Sequence, residues 1–309
     1  MPSMMPMTEY ETPAMKNAPI RHAVEFAAFA LFQGVVRALP HPASRALGGA
    51  LGALAGRLDR RRRRTADANL AAAFPDLSAG ERARITRECF RHFGASFCDA
   101  LSSLRFDGPE LLARLELVGW ENFARAAERT QGKGTIVLGS HFGNWEVVPA
   151  AIAVTIGPMS SVGRRADNPH FDRVIQRLRH RYGNRSLDKR GAVREMFRLL
   201  EKGGRLGLLL DQRVRAEEGV DVPFFGRPAL TSPIVARLQQ RTGAAVVPVF
   251  GEELAGGRYR VEALPPMFPA PGDDDVTLSR RYLAILEARA RERPELWLWL
   301  HDRWKRDAR

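Results

Sequence analysis

The sequence predicts an α/β fold: a mixed, mostly parallel central sheet flanked by helices, preceded by a helical region that associates with a membrane. Three observations carry this expectation. Apolar runs of strand length recur at 134–140, 158–163, 205–210, 245–250 and 258–264. Stretches with helical spacing lie between them, at 144–154, 168–182, 191–202 and 232–243, and strand alternating with helix is the pattern of parallel pairing through crossovers. The N-terminal third is helical throughout and contains five consecutive arginines, Arg60 to Arg64. The 309 residues therefore divide into a disordered tail (1–20), a helical membrane-associating region (21–105) and an α/β domain (106–309).

The first twenty residues are rich in Met and Pro and offer no apolar core. Phe26 to Val36 is an uncharged stretch of eleven residues bounded by Glu25 and Arg37. That is short of the roughly 20 residues needed to span a bilayer. It fits a monotopic helix whose Phe26, Phe29 and Phe32 enter the acyl layer, and equally an ordinary packed helix. Residues 43–58 repeat small and apolar side chains at helical spacing, so their glycines allow close approach to a neighbour. Pro40 and Pro42 separate these two helices. The arginine run suits anionic headgroups, and suits a solvated helix end as well. Ser78 with Glu81 forms a capping-box pattern that opens a helix through about Leu104, with Ile85, Phe90, Phe93 and Phe97 on its apolar side.

Formal charge is +13 (48 Lys and Arg less 35 Asp and Glu), which favours an anionic partner: an acidic protein or an anionic membrane surface. No zinc-finger spacing or aromatic–basic interleaving is present, so nucleic acid is not expected as a partner. Cys89 and Cys98 lie nine apart in one predicted helix, on different faces, and read as small buried apolar residues with no disulfide.

The most informative stretch is His141-Phe-Gly-Asn-Trp-Glu146, at the carboxyl end of the run Thr135–Ser140. An imidazole at such a position, with a carboxylate five residues on, is a plausible general base with an orienting acid. Arg164 and Asp211 follow two other strand-like runs and are candidates for the same sheet edge. An Arg there suits a phosphate or a developing oxyanion. Asn168-Pro169 reads as an N-cap and first-turn proline. Phe224 and Phe225 fit an acyl groove or the core. Trp297, Trp299 and Trp304 fit an interfacial aromatic belt or a helix packed on the sheet. There is no Gly-x-Ser-x-Gly nucleophile elbow and no His-x3-His zinc spacing, which argues against a serine hydrolase and a metal site.

Together these motifs resemble the bacterial lipid A late acyltransferases and their lysophospholipid and phosphatidylinositol-mannoside acyltransferase relatives. The resemblance covers about residues 22–306. It rests on His141 to Glu146, on Arg164 with Asp167-Asn168-Pro169, and on Asp211-Gln212 followed by Val222 to Ala229. Thr242-Gly-Ala with Val246-Val-Pro248, and Trp299-x-His301-x-Arg303-Trp304-Lys305, complete the set. Gly163 and Arg165 depart from the residues that often flank the family's Arg. The resemblance implies a glycerol-3-phosphate acyltransferase-like fold. It also implies transfer of a lauroyl- or myristoyl-type chain to a hydroxyl of a lipid A precursor. His141 would act as base and Glu146 as orienter, and Arg164, Asn144 and Asp211 would bind substrate. No cofactor is implied beyond a thioester co-substrate, acyl-carrier protein or acyl-CoA. The implied partners are acyl-carrier protein, an anionic glycolipid acceptor and the cytoplasmic face of the inner membrane. A lysophospholipid, a mannoside or another membrane lipid is the alternative acceptor, and a non-catalytic membrane-binding protein is the reading outside enzymology.

Overall fold

The computed structural model describes residues 18–103, 106–163, 166, 168–188 and 191–305. Four helices come first: α1 (Ala18–Ala38), α2 (His41–Leu58), α3 (Arg60–Ala73) and α4 (Ala79–Ser103). Residues 1–17 of the expected tail lie outside the described residues, and the helix already begins at Ala18. No helix among the described residues is long and apolar enough to cross a membrane.

The α2–α4 contact follows from composition. Ser44, Gly48, Gly49, Gly52 and Gly56 form one buried face of α2, so two helix backbones meet almost without side chains between them. A Cβ on Gly52 would lie 2.1 Å from the Phe90 carbonyl oxygen, and one on Gly94 of α4 would lie 2.3 Å from that of Gly48. The neighbour expected for this glycine face is therefore α4.

Helix α1 packs through its phenylalanines. Phe29 meets Phe171 with ring centroids 4.8 Å apart, and Phe32 stacks on Phe97 at 6.4 Å. The reading of Phe26, Phe29 and Phe32 as lipid-entering is thus replaced by ring packing on α4 and on α8 (Pro169–His180). The side chains left outward are Val24, Leu31 and Val35 on α1, with Leu51, Leu54 and Leu58 on α2.

The remaining elements build the sheet: α5 (Gly108–Leu112), β1 (Leu115–Val118), α6 (Glu121–Arg129), β2 (Thr135–Gly139), α7 (Val147–Ile156) and β3 (Ser160–Gly163). After α8 come β4 (Arg185–Asp188), α9 (Val193–Glu201) and β5 (Arg205–Leu209). The hairpin β6 (Val220–Phe224) and β7 (Arg227–Thr231), then α10 (Ile234–Thr242), β8 (Ala245–Leu254), β9 (Arg258–Ala263) and α11 (Asp275–Glu292) follow. Strand order is β1-β9-β8-β2-β5-β3-β4, seven strands with parallel pairing except between β8 and β9. This is the mixed, mostly parallel sheet expected from the alternation.

Strand β2 is buried along its whole length, because helices cover both faces of the sheet. Ile136 and Leu138 face one apolar cluster, shared with Leu206, Leu208 and Val246; Val137 faces the other, with Ile152, Val247 and Val249. Cys89 and Cys98 are buried in α4 as free thiols. Trp297 and Trp299 are 1% and 0% exposed, in an extended segment beyond the short turn Pro294–Leu296. They form neither an interfacial belt nor a helix. They pack against Phe224 and Phe225, which belong to the core rather than to a groove.

Candidate active site

Strand register decides what meets His141. Parallel pairing joins Thr135 to Arg205 and Gly139 to Leu209, a constant offset of 70 residues. The same offset carries past the strand ends to His141 and Asp211 (211 less 141 is again 70), two residues beyond Gly139 and Leu209. The pair closes at 2.9 Å, with the His141 Nδ1–H donating to Asp211 Oδ1. The backbone N–H of His141 donates to Asp211 Oδ2 at 2.8 Å, and the Trp297 indole N–H donates to the same oxygen at 2.8 Å. A carboxylate accepts only, so these donors put the ring proton on Nδ1 and leave Nε2 with its lone pair. The Gln212 amide donates to that lone pair at 3.2 Å.

Electrostatics follow the geometry. Burial opposes the charged form of His141, but the charge and hydrogen bond of Asp211, aided by Glu146, outweigh it and hold the imidazole above its ordinary value. Burial likewise favours the neutral form of Asp211. The nearby His141 and the N–H donors overcome that and keep its carboxyl below the usual range. The indole of Trp145 flanks the imidazole, with ring centroids 5.2 Å apart and the planes inclined at 61°.

Glu146, expected as the orienter, does not hydrogen-bond to the imidazole. The turn after His141 swings it aside, and Arg179 of α8 donates to it at 2.8 Å. Asp211, expected among the substrate contacts, is the carboxylate that bonds to the imidazole. Asn144 is buried at 4% exposure, with both ends of its amide used internally. Its Nδ2 donates to Asp99 at 2.8 Å, and its Oδ1 accepts the Val147 N–H at 3.2 Å, at the start of α7. Arg164, with Arg165 and Asp167, lies outside the described residues. Asn168 caps α8 as expected, accepting from the His170 N–H at 3.0 Å.

The turn itself explains its glycine. Gly143 has φ +55°, and a Cβ there would meet the Gly251 carbonyl oxygen at 2.1 Å. Its N–H donates to Leu296 O at 2.9 Å, and the Leu298 N–H donates to His141 O at 3.0 Å. The segment from Leu296 to Leu298 therefore straps the turn from outside.

Three participants were not singled out from sequence. Gln212 stood inside a quoted motif without a role. Arg179 lies on an amphipathic helix rich in arginine, where nothing distinguishes it. Asp99 gave one signal, a carboxylate within the apolar run Phe97 to Leu101.

A narrow cavity of about 30 Å³ opens beside Glu146 and Arg179, walled by Asn144, Val147, Ala150 and Tyr182.

A partly buried, oriented imidazole at the carboxyl ends of parallel strands has the chemistry to remove a proton from a weak nucleophile. Comparison with known proteins identifies the setting. The family described as "Bacterial lipid A biosynthesis acyltransferase" matches residues 15–306. Lipid A biosynthesis acyltransferase 1 of Shigella flexneri is 30% identical over 81% of this chain and 77% of its own. The Escherichia coli lipid A biosynthesis lauroyltransferase is 28% identical over 86% and 87%. A phosphatidylinositol mannoside acyltransferase of Mycolicibacterium smegmatis is 27% identical over 57% and 58%. Among solved structures, a 1-acyl-sn-glycerophosphate acyltransferase from Thermotoga maritima aligns at TM-score 0.39 and 12% identity, covering 79% of this chain and 97% of its own. The chain belongs to the bacterial lipid A biosynthesis acyltransferase family, and it is an acyltransferase.

Proposed function

We propose that this acyltransferase moves a lauroyl- or myristoyl-type chain from a carrier thioester to a hydroxyl of a lipid A precursor, with His141 as general base. The observation that carries this reading is the His141–Asp211 pair at 2.9 Å, which leaves Nε2 unprotonated and able to take a proton. The acceptor hydroxyl displaces the Gln212 amide from Nε2. His141 removes the hydroxyl proton as the oxygen attacks the thioester carbonyl, and a tetrahedral oxyanion forms. Asp211 holds the tautomer and stabilises the imidazolium, and Glu146 adds its charge from the side. Collapse breaks the carbon–sulfur bond. The imidazolium returns its proton to the departing thiolate, giving the ester and the free carrier thiol. Arg164, which follows β3 in sequence, is the proposed contact for the oxyanion or an acceptor phosphate.

Acyl-carrier protein, which is acidic, suits the +13 chain as donor, and acyl-CoA is the alternative. The acceptor's membrane is the proposed site of work, the cytoplasmic face of the inner membrane. Exposed Leu51, Leu54 and Leu58 on α2, next to Arg60 to Arg64, support docking onto anionic lipid. The phosphatidylinositol mannoside acyltransferase relative supports one other acceptor class, a mannosylated membrane lipid.

The test incubates purified protein with lauroyl- or myristoyl-carrier thioester and a lipid A precursor and reads product mass. A mass gain of one acyl chain that is lost in His141→Ala supports the mechanism. Full activity in that variant refutes it. Unchanged lipid A acylation in a deletion strain, with another lipid altered, moves the assignment to that acceptor.

A further inference from the structure

A polar cluster lies between the N-terminal helices and the sheet, and the reaction above makes no use of it. Its centre is the Asp99 carboxylate on α4, 1% exposed. His41 of α2 bonds to Asp99 Oδ1 through Nε2. Arg45 of α2 reaches the same oxygen at 3.5 Å and Glu253 of β8 at 3.0 Å. The Tyr259 hydroxyl of β9 approaches His41 Nε2 at 3.3 Å. The Ser96 hydroxyl donates to Glu253 at 2.6 Å. Burying two carboxylates is expensive, and such a cluster persists only where most of its donors are matched.

The cluster reaches the active site at two adjacent residues. Asp99 Oδ2 accepts from Asn144 Nδ2 at 2.8 Å, and the His92 ring of α4 bonds to the Gly143 carbonyl through Nε2 at 3.1 Å. Both targets lie between His141 and Glu146. Asn144 is fixed from its other side as well, since its Oδ1 accepts the first N–H of α7. The turn is thus clamped by α4 on one side and by the Leu296 to Leu298 segment on the other.

We propose that Asp99 is a positioning residue for acyl transfer. Through Asn144 it holds the turn that places His141 and Glu146, and so makes catalysis depend on the docked N-terminal helices. This rests on His141 being the base. Asp99 touches no substrate; it acts by limiting how far the turn moves, and angstrom-scale misplacement of a catalytic group is costly.

The experiment compares Asp99→Asn, Asn144→Asp and the double variant in the full-length protein. Readouts are kcat and KM for acyl transfer, and hydrogen exchange of segment 141–148 by mass spectrometry. Asp99→Asn keeps the side chain's size but replaces an acceptor with an amide. The expected result is a fall in kcat of about tenfold or more with KM changed less than about threefold, and faster exchange confined to 141–148. In the double variant the donor and acceptor exchange places, and at least half of the lost logarithm of kcat should return. Should Asp99→Asn fail to fold, Asn144→Asp alone must show the same kcat loss and local exchange. Unchanged exchange at 141–148, or faster exchange with wild-type kcat, overturns the proposal. Faster local exchange in a protein that transfers no acyl group, even as wild type, supports the clamp and refutes the assigned reaction instead.

Discussion

Arg179 donates to Glu146 at 2.8 Å, so the carboxylate of the His141 turn is engaged by a helix residue 33 positions further along the chain. Each side chain is about a quarter exposed, at 28% and 24%. An ion pair this open contributes at most about 1 kcal/mol to stability. Its importance is expected in catalysis, where Glu146 helps to sustain the charged form of His141.

Glu146→Gln should therefore leave the melting temperature within a few degrees while lowering kcat by about tenfold. Arg179→Gln should lower kcat less, since it leaves the Glu146 charge in place. Steady-state kinetics alongside thermal melts checks both. A large fall in melting temperature with wild-type kcat would make the pair structural only.

The pH dependence follows from His141. Its folded value is raised, so the ring stays protonated to higher pH than a free histidine, and the neutral base appears only as pH rises through that raised value. The acid limb of kcat should accordingly lie above the ordinary histidine value of about 6.5. Asp211→Asn removes the main cause of the rise, so the limb should move to lower pH while kcat falls by roughly 100- to 10,000-fold. A pH–rate profile of both proteins decides it; an unmoved limb would mean that another group titrates.

The surroundings of two helical glycines, Gly94 at the α2–α4 crossing and Gly34 on α1, predict opposite outcomes. Gly94→Ala drives a Cβ into Gly48 O at 2.3 Å and Gly52 Cα at 2.8 Å, and should lower the melting temperature by about 5 °C or more. Gly34 on α1 has nothing within 4 Å, so Gly34→Ala should stabilise by up to about 1 kcal/mol through helix propensity. Calorimetry of the two variants gives the sign directly.

Membrane docking is tested on the outward leucines. Leu58 is 73% exposed and Leu54 48%. Leu54→Glu with Leu58→Glu should cut flotation with anionic vesicles by about tenfold or more, as burying one leucine is worth about 1.5–3 kcal/mol. Binding of the unaltered protein should weaken with salt, because Arg60 to Arg64 contribute on the order of 1 kcal/mol each near the surface. Equal flotation of both proteins would place the lipid-facing side elsewhere.

The alternation of apolar runs and helical stretches made the sheet legible, together with the strand-end position of His141. Asp211 was legible as a strand-end carboxylate, but its partner was not. The pairing depends on β2 and β5 being neighbours with an offset of 70, and no local pattern encodes which strands lie side by side. Glu146 reads as the orienter from its place five residues after His141 and from the His-x4-Glu resemblance. Gly143 at φ +55° turns the chain after His141 and sends that carboxylate toward α8. The phenylalanines of α1 read equally as lipid-seeking or packed, since amphipathic spacing is the same for both, and the aromatic partners Phe97 and Phe171 are distant in sequence. The tryptophans near residue 300 are ambiguous for a related reason: an aromatic, basic segment reads equally as an interfacial belt or a packed helix, whereas Trp297 lies in an extended segment and donates to Asp211.

The strap from Leu296 to Leu298 has a bearing on synthesis. The ribosome makes the His141 turn first, then Asp211, and only much later the indole that grips the carboxylate and the backbone that clasps the turn. A chain interrupted before Trp297 therefore has both members of the dyad but not the pieces that hold them still. Acyl transfer should switch on only after this late segment threads into place, so truncated or nascent chains should be inert.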